Sequence, residues 1–291
     1  MAEGTSIINL GELSKPATVL IEKISDAVGG IFRPYQIRRI AEAEADAEMI
    51  AAKNEIKLTA LHHRALDRFL NEEAKKQQNI EEITARAIPQ IEEKALPQKM
   101  DDDWITNFFD KCRIVSDTEM QTLWSKVLAG EANDPGHFSK RTVSLLGSLD
   151  KKDAKLFQSL CNFVWEIGDP VPLVFKHDDR IYNDVEINFG TLTHLDSVGL
   201  INFDALAGFA RTGLPKRVAI PYYSTFFGLE FESESNNQID LGHVLLSQSG
   251  MELASICGSQ PNAAFLEYVL NILSERGLKP SSPYPRRAKG M

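Results

Sequence analysis

Residues 35–87 contain neither glycine nor proline, and this stretch constrains the fold more than any other part of the chain. It is dense in Ala, Glu, Lys, Arg and Gln, which are strong helix formers. A continuous helix of about 50 residues would be about 75 Å long, at a rise of about 1.5 Å per residue. No compact domain needs such a length. The sequence therefore predicts a long N-terminal helix that reaches beyond a single domain.

One side of this predicted helix carries an apolar stripe that alanines dilute. At about 100° per residue the large members of the stripe are Ile40, Ile50, Leu58, Leu61 and Phe69. The residues that lie off it are Ile56, Leu66 and Leu70. Because the stripe is too weakly apolar for a solitary buried helix, we predict a self-associating stalk of the coiled-coil type; a helix folded back onto its own chain is the alternative. We expect four residues to carry the association: Ile50, Leu58, Leu61 and Phe69.

Residues 16–32 predict a second, shorter amphipathic helix. Its apolar face consists of Leu20, Ile24, Val28 and Ile31. We interpret this face as packing on its own protein or on a second copy. The alternative is a membrane-surface helix, for which the sequence offers few basic residues to meet anionic headgroups.

The middle of the chain, from about residue 98 to 165, predicts a compact set of helices. Ser116, Ser139 and Asp150 are placed as N-caps, and Gly130 is placed as a C-cap glycine. The helix that begins at Asp150 is expected to continue through Val164 and Trp165. The run of three aspartates at 101–103 could suggest a metal site. Consecutive positions cannot converge on one ion without an irregular loop, so we interpret the run as the cap and first turn of a helix.

The sequence after about residue 166 changes character. DPVPLVF, RIYNDVEINF, RVAIPYY, FGLEFESES and IDLGHVLLS have the aromatic and β-branched composition of strands. TLTHLDSVGLI, SQSGMELASICGS and residues 262–277 predict helices. The order helix, strand, turn, strand, helix is typical of a winged-helix unit.

These patterns predict a mainly α fold with a C-terminal α+β unit that is winged-helix-like. The predicted segments are an N-terminal amphipathic segment (1–33), the long helix (34–97), a helical domain (98–165), the winged-helix-like domain (166–280) and a disordered tail (281–291).

The charge distribution argues against a nucleic-acid partner. The formal net charge is −9, whereas chains that wrap nucleic acid carry a basic footprint. The candidate recognition helix, 191–199, has no Lys or Arg. The candidate wing carries Glu230, Glu232, Glu234 and Asp240, which would lie against phosphates. Lys216 and Arg217 form the local basic pair.

No assembled catalytic site is readable. The chain has no phosphate-binding glycine loop, nucleophile elbow or zinc-protease motif, and its six histidines lack metal spacing. His177, Asp178, Asp179, Asp184 and Glu186 form the best residual cluster, in a turn where Asp is ordinary. We therefore expect a non-enzymatic protein without metal or cofactor.

Three cysteines and the absence of a long apolar run indicate where the chain resides. Cys112, Cys161 and Cys257 have no CxxC spacing, and we expect them to be buried structural residues in a reducing cytosol. No stretch reaches the ~18 apolar residues of a spanning helix. The expected location is cytoplasmic, with peripheral membrane attachment as the alternative.

Two resemblances bear on function. DDDWITNFFDKCRIVSDTEMQTLWSKVLAGEANDPGHFSKRTVSLLGSLDKKDAKLFQSLCNF, with the preceding RPYQIRRIAEAEADAEMI, resembles a family of uncharacterised bacterial proteins over most of residues 15–165. The later half, with LTHLDSVGLI and LLSQSGMELASIC, is loosely similar to the C-terminal part of abortive-infection alpha proteins. The second resemblance implies a role in phage defence or stress, and neither supplies catalytic residues.

The leading hypothesis is a self-associating, homo-oligomeric scaffold or sensor that docks an unidentified protein partner. A membrane-acting abortive-infection effector that uses residues 16–32 is one alternative. A winged-helix DNA-binding regulator is the other.

Overall fold

The computed structural model describes residues 13–29, 60–281 and 284–285. These residues belong to two compact units, one ending at Gly147 and the other beginning at Ser148. The predicted boundary between the middle and C-terminal domains was 165/166. The unit boundary lies earlier, and the helix over residues 151–161 packs within the second unit.

The first unit is helical in its described part. Its helices are α1 (Lys15–Val28), α2 (Ala60–Ala87), α3 (Asp102–Cys112), α4 (Thr118–Asn133) and α5 (Lys140–Leu146). Two short 3₁₀ turns, Ile88–Gln90 and Pro97–Lys99, connect α2 to α3. The predicted helix over 34–97 is thus helical from residue 60 to 87, while its earlier part lies outside the described residues.

Aromatic rings fill the core of the first unit. Trp104 and Phe108 stack at 5.1 Å, and Phe108 meets Trp124 edge to face at 5.1 Å. The indole nitrogen of Trp104 donates to the carbonyl of Phe138 at 2.7 Å, which satisfies a buried polar group. Because α3 and α4 contribute the rings and the loop before α5 contributes the carbonyl that accepts from Trp104, these contacts join the three segments.

Several predicted helix caps are confirmed. The Asp101 carboxylate accepts from the Trp104 amide at 2.7 Å, so the aspartate run begins α3. That hydrogen bond, together with Lys140, lowers the pKa of Asp101. Ser139 caps α5, and Asp150 forms a capping box with Asp153. Local pattern alone was sufficient at these positions.

Two predicted helix ends in the first unit were wrong. The N-cap of α4 is Asp117 and not Ser116, because the Asp117 carboxylate accepts from two backbone amides at 3.0 Å. Gly130 does not end α4, which continues to Asn133. A methyl group at Gly130 would lie 2.6 Å from the buried ring of Phe138, so this glycine serves a close approach inside the helix.

The second unit mixes short helices and short strands. Its helices are α6 (Lys151–Cys161), α7 (Arg180–Asn183), α8 (Phe189–Ser197), α9 (Gln248–Ala254) and α10 (Ala263–Glu275). Its strands are β1 (Val164–Ile167), β2 (Asp169–Pro172), β3 (Ile201–Phe203), β4 (Phe209–Leu214), β5 (Arg217–Tyr222), β6 (Thr225–Glu230), β7 (Asn237–Gly242), β8 (Val244–Leu246), β9 (Lys279–Pro280) and β10 (Tyr284–Pro285).

These strands pair antiparallel in small sheets. β1 pairs with β2, β3 with β8, and β4 with β7. The β5–β6 hairpin is extended by β9 and β10, which both pair with β6. The whole described chain is therefore mainly helical with a few small antiparallel sheets.

Two segments of the second unit differ in secondary structure from the prediction: one predicted as helix is a strand, and one predicted as strand is partly helical. We predicted that the helix beginning at Asp150 continues through Val164 and Trp165, but α6 ends at Cys161 and these residues open β1. Side chains alternate along this strand, with Trp165 and Ile167 buried. Within the predicted strand RIYNDVEINF, Arg180–Asn183 is helical, and the fully buried Tyr182 donates to the Leu173 carbonyl at 2.7 Å. This long-range contact is not readable from local composition.

Candidate interaction surface

Helix α2 has one half that packs on its own unit and one that does not. From residue 60 to 72 every side chain is exposed. From Asn79 onward one side of the helix is buried, with Ile80, Ile83 and Ala87 in the core. α4 is the main helix that covers this side. The outer half is thus a helix whose apolar side chains have no cover within the described chain.

Four large apolar side chains occupy the outer half. Their exposed fractions are 64% for Leu61, 49% for Leu66, 57% for Phe69 and 58% for Leu70. Single exposed apolar residues are common, but four within ten residues of one helix form a patch. We call this set the outer patch.

The outer patch continues the face that packs on the protein itself. Five turns of α-helix take about 18 residues and return a side chain to the same direction. Leu66 is therefore aligned with Thr84, and Phe69 with Ala87; both later residues are fully buried. The sequence thus extends one packing face over both halves, and the described part of the unit covers only the second.

Several polar side chains of α2 are paired within the helix. Arg68 donates to Glu72 at 3.1 Å, and Lys76 donates to Glu73 at 2.6 Å. Further along, Gln78 donates to Glu82 at 2.8 Å. Such spacings of three and four residues stabilise an exposed helix by a few tenths of a kcal/mol each, so the helix has local support where the unit gives none.

The predicted association residues fall partly on this surface. Leu61 and Phe69 belong to the outer patch, whereas Ile50 and Leu58 lie outside the described residues. The sequence interpretation placed Leu66 and Leu70 off the stripe, on a surface that broadens toward the C-terminal end of the helix, but it did not count them among the association residues. Their spacing from Phe69, three residues before and one after, was the signal for a broader local face.

The predicted membrane face of α1 is occupied by protein. Leu20 and Ile24 are fully buried, and α1 packs on α3 and on the turn at Pro97–Lys99. Val28 is half-buried, and Ile31 lies outside the described residues. Burial in the core withdraws Leu20 and Ile24 from any lipid surface in this conformation. Of the two interpretations, packing on its own protein fits the structure.

The side chains of the cluster at residues 177–186 have separate partners in the structure and do not converge on one site. The Asp179 carboxylate accepts from Tyr268 at 2.6 Å, and Asp184 pairs with Arg180 at 3.2 Å. The ring of His177 instead packs against Phe189 and Phe203. Over the described residues, no group of three potential ligands is placed to hold a metal ion. Nor does any helix in that part of the chain have the length and apolarity to cross a membrane.

The basic pair of the predicted wing is engaged by carboxylates. Lys216 donates to Glu234 at 2.6 Å, and Arg217 donates to Glu230 at 3.1 Å. Each cation therefore faces an anion of the same unit, so a phosphate would have to compete with a carboxylate already in place.

The sequence matches a known family across both units. The model of a family described as "Protein of unknown function (DUF2806)" matches residues 63–270, more than two thirds of the chain. The chain belongs to this family. The DUF2806 match begins in the outer half of α2 and reaches into α10, so it extends well past the 15–165 expected from sequence. No curated protein and no solved structure matches the chain. The likeness to abortive-infection proteins stays a prediction.

Proposed function

We propose that this chain is a non-enzymatic scaffold or sensor that self-associates through the outer half of α2. The observation that carries this proposal is the outer patch, an apolar surface that continues a core-packing face and has no cover in the described chain. Burying the exposed half of each large side chain contributes roughly 1 kcal/mol. A surface of this kind favours a permanent or inducible partner.

A second copy of the same chain is the occupant that fits best. Phe69 and Leu70 follow Leu66 by three and four residues, so the three side chains lie on neighbouring positions of one side of the helix. Each copy brings the same patch, so two helices can cover each other with apolar side chains on both sides. Arg64, Asp67 and other charged residues of both signs flank the patch and are compatible with a like surface.

The second unit then remains available to a different protein. Its helix and strand order is typical of a winged-helix unit, and its exposed carboxylates favour a protein over a nucleic acid. We propose that it docks the partner whose presence the assembly senses. This division gives α2 the assembly role and the second unit the recognition role.

The molar mass in solution tests the self-association proposal. We expect the full chain to be an oligomer by light scattering at micromolar concentration. Replacing both Leu66→Asp and Phe69→Asp should weaken association at least ~100-fold, because charges replace apolar contacts in every copy. Substitutions are preferable to truncation, since Ile80 and Ile83 on the same helix belong to the core.

A matched variant separates surface charge from patch chemistry. Asn71 is exposed on α2 and points about 200° away from Phe69, so Asn71→Asp should leave the molar mass unchanged. Circular dichroism checks that all variants stay folded. A full chain that remains monomeric at tens of micromolar would overturn the proposal.

A further inference from the structure

A cleft in the second unit is lined by Cys161 and by residues on either side of Cys257 in the sequence. The cleft has a volume of about 320 Å³, and its walls include Cys161, Tyr223, Ser255 and Ser259. Cys161 is the last residue of α6, and Cys257 follows α9. The cleft therefore lies where the ends of these two helices approach each other.

Two hydrogen bonds join the two cysteine-bearing segments, and a third holds Cys161 to Tyr223. The Gln158 side chain donates to the Gly258 carbonyl at 3.0 Å, and the Gln260 amide donates to the Asn162 side chain at 2.8 Å. The Tyr223 hydroxyl donates to the Cys161 carbonyl at 3.2 Å. Gln158 and Asn162 flank Cys161, and their partners Gly258 and Gln260 both follow Cys257, so the two segments are held side by side next to the cysteines.

The thiols themselves are in contact. The side chain of Cys161 forms a hydrogen bond with that of Cys257, and the Cys257 thiol also lies 3.3 Å from the Ala254 carbonyl, to which it donates. Both cysteines are in the thiol form. Cys161 is almost fully buried, whereas Cys257 is half-exposed. The pair thus has one member that solvent reaches and one that it does not.

We propose that Cys161 and Cys257 are a redox pair that closes to an intramolecular disulfide when the chain meets a peroxide. From the sequence we expected all three cysteines to be structural residues. Under this proposal only Cys112 keeps that role. The inference stands on contacts within the second unit and does not depend on self-association.

The chemistry begins at Cys257. Burial raises the pKa of the Cys161 thiol well above its usual range, so Cys161 is the poorer nucleophile toward an oxidant. The Cys257 sulfur attacks hydrogen peroxide, its S–H proton goes to the leaving hydroxide, and a sulfenic acid and water result. The Cys161 sulfur then attacks the sulfenic sulfur. The S–O bond breaks, the Cys161 proton leaves with the hydroxide as a second water, and the S–S bond forms. Two thiols are oxidised by two electrons, and one peroxide is reduced to two waters.

The disulfide would tie α6 to the segment after α9. It closes a loop of nearly 100 residues that contains every strand from β1 to β8. A cross-link over a loop of this length restricts the unfolded chain strongly, so oxidation should raise the Tm of the second unit by about 5 °C or more.

Mass spectrometry of the native full chain after hydrogen peroxide treatment tests the pair. We expect the loss of two hydrogens per chain and a peptide linked through Cys161 and Cys257, with Cys112 still alkylated as a free thiol. Cys257→Ser should abolish the link, and Cys112→Ser, the matched control, should leave it intact. Serine at 257 keeps a donor for the Ala254 carbonyl, so this variant should fold.

Three results would overturn the redox pair. One is the retention of all three thiols after exposure to peroxide. Another is a sulfinic acid at Cys257 with no link to Cys161. The third is a disulfide between two chains through Cys257.

Discussion

At the scale of single residues, one carboxylate in the second unit has two partners. Asp153 accepts from the Asp150 amide at 2.9 Å as part of a helix cap, and it lies 2.7 Å from a ring nitrogen of His194 on α8. Burial alone would raise the pKa of Asp153. The hydrogen bonds from His194 and Asp150 outweigh burial, and the pKa is lowered. The ionised form is therefore the one that holds α6 to α8.

This pKa shift predicts how stability depends on pH. Because the folded state lowers the pKa of Asp153, its contribution is present above the ordinary Asp pKa of about 4 and is lost as the pH falls through the lower, folded value. We expect Asp153→Asn to reduce the free energy of unfolding by about 1–2 kcal/mol at pH 6–7. Urea unfolding should show this difference shrinking below pH 4.

A matched exposed carboxylate provides the control. Asp184 pairs with Arg180, whose side chain is 92% exposed, so Asp184→Asn should change stability little. Equal losses for Asp153→Asn and Asp184→Asn at pH 7 would contradict the role given to the buried contact.

Predictions for single residues were confirmed where the interaction partner lies close in sequence. The caps at Asp101, Ser139 and Asp150 involve partners three residues away, which the sequence displays directly. Gly130 was misread because its role depends on Phe138, a neighbour that reaches it only after the loop folds back. The sequence does not distinguish a glycine that ends a helix from one that allows an aromatic ring to pack close to the helix backbone.

At the scale of elements, α2 combines two environments in one helix. Its inner half contributes core residues, and its outer half depends on pairs such as Arg68–Glu72 for local support. The exposed stretch from residue 60 to 72 is short, and an isolated helix below about 12–15 residues is marginal in water. The two halves should therefore differ in local stability by most of the free energy of unfolding.

Hydrogen exchange should resolve this difference. In dilute, monomeric protein we expect amides of residues 64–72 to exchange at least ~100-fold faster than those of residues 80–87. Raising the concentration should slow exchange in the outer half alone, because association covers it, and the inner half serves as the internal reference. Uniform exchange along α2 at all concentrations would contradict both the exposed state and the proposed assembly.

Element types were predictable where periodicity was strong and failed where tertiary contacts decided. α8, α9 and α10 lie where the sequence placed helices, and the β5–β6 hairpin lies where it placed strands. The type of Val164–Ile167 was decided by pairing with β2, and that of Arg180–Asn183 accompanies the burial of Tyr182. The candidate site was half predictable: Leu61 and Phe69 were chosen from periodicity, but Leu66 and Leu70 needed the observed exposure.

At the scale of the whole molecule, charge sets the choice of partners. The net charge of the chain is −9, and the basic pair of the predicted wing, Lys216 and Arg217, is matched by Glu234 and Glu230. Neutralising phosphates would require breaking these pairs. We therefore expect the molecule to repel a polyanion.

This balance predicts an outcome for a DNA-binding assay. We expect the full chain to show no binding to duplex DNA in fluorescence anisotropy at low salt, near 50 mM, where phosphate contacts are strongest. An affinity that falls steeply as salt increases would instead reveal engaged phosphates and would revive the regulator hypothesis.

Because the outer half of α2 is uncovered in the described chain, its exposure should depend on the concentration of the protein. By mass action, a scarce chain keeps Leu66 and Phe69 facing water, where proteases and chaperones recognise such side chains. Under the proposed assembly, an abundant chain would cover these side chains with those of a second copy. The rate of synthesis would thus determine both the lifetime of the protein and its oligomeric state. A modest rise in expression would carry the chain from an exposed, degradable monomer to a protected oligomer.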